Sequence, residues 1–173
     1  MQRHFSIIWG ILILSSAFYA RPLYRALLLV FPRQYVTLIV ALLICGAAFL
    51  LGVALFKSFL VLEKKEIFFR LLQFFLALAA IIIVFLNLDL PEEKIHLILY
   101  ALLGAFRSYE LKEEAGIKSY LKAAALVLGF SICSELIQAL LPDRFGDPRD
   151  VVVDLLSGIS GILFYNSIKC TSR

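Results

Sequence analysis

Residues 35–56, YVTLIVALLICGAAFLLGVALF, run for 22 positions without a charged side chain. As a helix such a run is about 33 Å long, enough to cross the ~30 Å of a bilayer's hydrocarbon. Lipid offers no hydrogen bonds, so a segment committed to it must satisfy its own backbone, and a helix is the way one strand of chain does so. Residues 71–90, LLQFFLALAAIIIVFLNLDL, repeat the pattern. Four weaker runs, at 5–20, 93–110, 119–141 and 150–168, are read as further crossings. Of the fourth segment only IHLILYALLGAF is free of inner charge, so Arg107 is expected to snorkel and His96 to sit near the boundary. The expected fold class is therefore an all-α membrane protein, a polytopic bundle of about six transmembrane helices. The composition agrees: 62% hydrophobic and 17% charged residues, with a mean hydropathy of +0.93, against about half apolar and a quarter charged in soluble domains.

The net charge of +4 is too small to suggest a nucleic-acid partner. Its distribution says more. With six crossings, eleven Lys and Arg fall on the side of both termini and six on the other, so the positive-inside rule predicts cytoplasmic termini. The first segment has a rival reading: a basic start, an apolar core and Ser15-Ser16-Ala17 resemble a signal peptide, whose removal would leave the other orientations unchanged. Two mixed stretches, RPLYRALLLVFPRQ and KSFLVLEKKEIFFR, suit short helices lying in the interface, or plain loops. Cys45, Cys133 and Cys170 show no metal-ligand spacing. The first two are expected to be small packing residues, and no disulfide is expected.

Against this apolar background, SELIQALLPDRFGDPRDVVVDLL stands out. Glu135 and Gln138 are spaced i, i+3 on one helix face. Asp150, Asp154 and Gly158 follow at i, i+4, i+8 on the next helix, and His96 and Tyr100 are i, i+4 on an earlier one. The topology brings all three sets to the outer end of their helices. Facing lipid, each carboxylate would cost about 2.5–3.5 kcal/mol on insertion scales, so these faces are expected to point inward and line a polar pocket. Arg144 and Arg149 in the short connecting loop are the expected counter-charges. Gly158, Gly161 and Ser157 give the last helix a small face for close packing.

Three segments, PEEKIHLILYALLG, SELIQALLPDR and DPRDVVVDLLSGISG, resemble the signature segments of the VanZ-like membrane proteins. On that resemblance His96, Tyr100, Leu103 and Gly104 match a His-x-x-x-Tyr with Leu-Gly, Glu135 and Gln138 a Glu-x-x-Gln, Arg144 the loop Arg, and Asp150 and Asp154 the last acidic pair. Asp154 stands where the family more often has Asn, and Ser157 where it has Gly. The likeness covers residues 71–168. It divides the chain into two N-terminal helices, residues 1–70, and a four-helix core with a short cytoplasmic tail, residues 71–173. It implies a bacterial cell-envelope protein of the cytoplasmic membrane, with a phenotype of teicoplanin-type glycopeptide resistance. It carries no established catalytic residue or cofactor.

Three functions fit these residues. The first is a site, with Tyr100, Gln138, Arg144 and Arg149 as ligand contacts, for a lipid-linked cell-wall precursor or another anionic envelope ligand at the bilayer surface. The second is an intramembrane enzyme with His96 and Glu135 as acid and base, Asp150 and Asp154 orienting the His or holding Mg2+ or Mn2+. No Ser, Thr or Cys adjoins the His or the acids within the motifs to serve as nucleophile. The third is a polar clamp between helices with no ligand at all.

Overall fold

The computed structural model describes residues 4–59, 64–88, 91–114, 116–142 and 146–168. Among them the chain forms α1 (Phe5–Val30), α2 (Arg33–Phe59), α3 (Lys64–Leu86), α4 (Pro91–Glu110), α5 (Ile117–Ala139) and α6 (Pro148–Ile168), and no strand. Three stretches are long and apolar enough to cross a membrane: Glu66–Leu86, Ile117–Ala139 and Pro148–Ile168. In α1, Phe5–Tyr19 is apolar but shorter.

The helix starts follow from local chemistry. Proline, which has no amide proton to lose, opens both α4 and α6. Before α6, Asp147 Oδ1 accepts the Arg149 amide at 2.8 Å, the geometry of an N-cap, and Asp150 places a negative charge in the first turn.

α6 lies at the centre, against α3, α4 and α5. Of its crossing stretch 44% is buried, against 22% for α3 and 28% for α5. The contact with α4 is made by backbone. A Cβ on Gly104 would strike the Gly158 carbonyl, and one on Gly161 would strike the Ala101 carbonyl. Ser157 and Ser160 flank this seam, and each turns its hydroxyl onto its own helix, to the Val153 carbonyl at 2.7 Å and the Leu156 carbonyl at 2.9 Å. A serine satisfied that way packs as a small residue. Around the seam, Ala77, Ile81 and Val84 of α3 and Leu88 just past its end meet Leu97 of α4 and Phe164 of α6. Ile13 of α1 meets Tyr100, Leu103 and Val127.

The distribution of polarity is that of a lipid-facing body. Phe68, Phe69, Leu72, Phe75, Leu76, Ile82, Ile83 and Leu86 of α3 are exposed. The buried residues mix fourteen hydrophobic with eleven polar ones among those described. An apolar exterior of this extent marks contact with a membrane or a partner.

α1 is packed into the bundle. Its start is fixed by Glu110 at the end of α4, whose carboxylate accepts the Ser6 amide at 2.8 Å and the Ser6 hydroxyl at 2.5 Å. Trp9 Nε1 donates to the Leu99 carbonyl at 2.9 Å, and Ile13 and Ala17 are buried. The stretch at 21–34 is not a separate interfacial helix: α1 continues through Pro22 to Val30, and α2 starts at Arg33. Arg107 pairs with Glu110 at 3.0 Å, one turn along the same helix, and its Nε is buried without a partner among the described residues. Cys45 and Cys133 are free thiols on exposed faces, not packing residues of the interior.

Gly161→Ala is expected to force α4 and α6 apart and to lower stability by roughly 1–3 kcal/mol or more. Gly129 has nothing within 4 Å of its would-be Cβ, so Gly129→Ala should leave stability unchanged or raise it by about 1 kcal/mol through helix propensity. Thermal unfolding of both variants in one detergent checks the contrast.

Candidate functional site

α4 and α6 begin at the end of the bundle where α3 and α5 finish, and there the three polar motifs converge. Asp154 is fully buried on α6. Its Oδ1 lies 3.3 Å from His96 Nδ1 on α4, and its Oδ2 accepts the Ser131 hydroxyl of α5 at 2.8 Å. One carboxylate thus ties three helices. Tyr100, one turn below His96, is fully buried. Its hydroxyl reaches the Phe130 carbonyl at 3.5 Å and lies among Ser131, Ser134 and Asp154. His96 is 22% exposed and is the member of the His–Asp pair that meets the surface.

Glu135 serves a second purpose. Its Oε1 accepts Gln138 Nε2 at 3.0 Å, and its Oε2 accepts the Asp147 amide at 2.9 Å. The carboxylate therefore fastens the start of α6 to the end of α5. Gly146 fits this closure because a Cβ there would lie 2.8 Å from the Glu135 carbonyl. Asp150 is half-buried in the first turn of α6, one turn before Asp154.

Of the residues singled out in the sequence, His96, Tyr100, Glu135, Gln138, Asp150 and Asp154 come together. Arg149 does not join them as a counter-charge. Its guanidinium donates from Nη2 to the Asn87 carbonyl at 2.7 Å, completing the C-terminal end of α3. The carboxylates are satisfied instead by an imidazole, a hydroxyl, an amide side chain and a backbone N–H. Arg144 lies outside the described residues.

Ser131 and Asn87 lie outside the motif segments, whereas Ser134 and Asp147 stand inside them, beside Glu135 and before Pro148, without having been picked out as site residues. Ser131 and Ser134 carry a signal all the same. With Val127 and Gln138 they fall at i, i+4, i+7 and i+11, one buried stripe of α5. Their presence corrects the reading that no hydroxyl adjoins the acids. The order of groups is Ser131–Asp154–His96, with the carboxylate between hydroxyl and imidazole. A hydrolytic triad needs the imidazole in the middle, so that the base touches the hydroxyl. Among the described residues no three His, Cys, Asp or Glu side chains are arranged to hold a metal ion.

Comparison of the chain with family models, with curated proteins and with solved structures returns no match.

Removing the imidazole would strand a buried carboxylate, so His96→Ala is expected to cost about 3–5 kcal/mol. Adding Asp154→Asn should restore much of that loss, because the buried charge goes with it. A double-mutant cycle on unfolding in detergent measures the coupling, and simple additivity of the two losses would rule the pairing out.

Proposed function

We propose that the chain is a VanZ-like, multi-pass protein of the bacterial cytoplasmic membrane. It has six crossings and cytoplasmic termini, and its polar end faces outward and binds an envelope ligand. The observation that carries this reading is the partly exposed His96 held by the buried Asp154, on helices that start 57 positions apart in sequence. Intramembrane carboxylates are expensive, and a group kept at that cost and presented to the surface through an imidazole suits recognition. The resemblance of the three motif segments adds the class of ligand, a lipid-linked wall precursor, and the phenotype, glycopeptide resistance of the teicoplanin type. Arg149, engaged with Asn87, contributes less to anion binding than its place in the loop implied.

One observation favours a second reading, the polar clamp. Both oxygens of Asp154 and both of Glu135 already have partners within the protein. A clamp needs nothing more.

Resistance separates the two. In a susceptible Gram-positive host the wild type is expected to raise the inhibitory concentration of teicoplanin. Glu135→Gln, Arg144→Ala and Asp154→Asn should lose that protection while reaching wild-type levels in the membrane. Variants that fail to accumulate would support the clamp, and a wild type that protects against nothing removes the resistance phenotype from the proposal.

A further inference from the structure

At the end of the bundle opposite His96, α5 begins with two lysines on an apolar side. Ile117, Leu121, Ile132 and Leu136 are exposed along that helix. Lys118 and Lys122 are exposed too, and helical spacing puts them within the same arc. Lys118 stands about five turns from Leu136 and projects in the same direction. No charged residue falls between Lys122 and Glu135. The side that carries the lysines is therefore the one that meets lipid when the helix crosses a bilayer.

Their level along the helix is equally telling. From Lys122 to the end of α5 at Ala139 the rise is about 26 Å, close to the ~30 Å of hydrocarbon. Lys122 thus stands at the edge of the apolar layer and Lys118 one turn beyond it, among head groups. There a lysine lays its methylenes along acyl chains and carries its ammonium to the phosphates.

The protein offers these cations little in return. Lys122 Nζ lies 2.6 Å from Glu114, but both side chains are well exposed, and such a pair is held weakly. Lys118 has no ion-pair partner among the described residues. Glu113 and Glu114 are the acids of the preceding turn, and Lys112 stands beside them, over the Tyr109 ring at 5.3 Å. A hydrogen bond from Gln73 Nε2 to the Tyr120 hydroxyl at 2.9 Å ties α3 to this end, and the first turn of α3 adds Lys64 and Lys65 against Glu66. Cations outnumber acids in these turns. A zwitterionic lipid brings its own cation with its phosphate, whereas an anionic one leaves the phosphate charge to the lysines.

We infer that the start of α5 is a binding surface for an anionic phospholipid, whose phosphate lies against Lys118 and Lys122 while its acyl chains cover Ile117 and Leu121. This surface rests on the membrane reading proposed above and not on the ligand site at the other end.

The test compares the full chain in nanodiscs of phosphatidylcholine alone and with increasing phosphatidylglycerol or phosphatidylethanolamine, reading the unfolding temperature. Phosphatidylglycerol is expected to raise it and phosphatidylethanolamine to leave it unchanged. The rise should shrink as sodium chloride screens the exposed charges. Lys118→Gln should need about fivefold more phosphatidylglycerol for half the rise, the equivalent of ~1 kcal/mol. Lys118→Arg should keep the response, and the double variant Lys118→Gln/Lys122→Gln should lose it while matching wild type in phosphatidylcholine. Should the double variant unfold there, Lys118→Gln and the salt series decide. An equal rise with phosphatidylethanolamine, no rise with phosphatidylglycerol, or a rise undiminished by the lysine substitutions overturns the surface. A chain that does not enter nanodiscs overturns the membrane reading with it, whereas one that enters and ignores phosphatidylglycerol overturns the surface alone.

Discussion

A carboxylate that solvent does not reach, Asp154, stands where α4, α5 and α6 converge, and the arrangement of that end of the bundle depends on it. Helices in lipid gain little from burying apolar surface against each other, because the alternative is equally apolar. What distinguishes one packing from another is then polar satisfaction and closeness of approach. Asp154 supplies the first, through His96 on one neighbour and Ser131 on the other. The glycines of the α4–α6 seam supply the second. The two act together, since a His–Asp contact at 3.3 Å requires backbones that can come close.

Glu135 extends the same logic to the loop. Its two oxygens join Gln138 and the Asp147 amide, and Asp147 in turn caps α6. The start of the helix that carries Asp154 is thus positioned from α5 as well as from its own first turn. The acidic residues of this end divide by role: Asp154 and Glu135 tie helices together through their hydrogen bonds, whereas Asp150 stands half-buried in the first turn of α6.

Much of this was legible in the sequence. The apolar runs located the helices, and the i, i+3 and i, i+4 spacing of His96, Tyr100, Glu135, Gln138, Asp150 and Asp154 put them on faces that meet. What failed were inferences from charge alone. Arg149 lies beside the acids in sequence, yet its guanidinium goes to the Asn87 carbonyl at the end of α3, where the last carbonyls of a helix lack intrahelical partners. Ser131 and Ser134 went unnoticed because serine is common in membrane helices as a small residue, and only position relative to α6 tells a packing serine from a bonding one. Residues 21–30 were misassigned because their basic and apolar mixture matches an interfacial helix, whereas the backbone continues through Pro22 as part of α1.

The anchoring of α1 has a consequence for biogenesis. Ser6 and Glu110 are separated by 104 positions, so the N-terminal end of α1 has no seat until the end of α4 has been made. At about 5–20 residues per second, α1 waits roughly 5–20 s with its starting amides unpaired. The start of α1 is therefore secured only after α2, α3 and α4 have been synthesised.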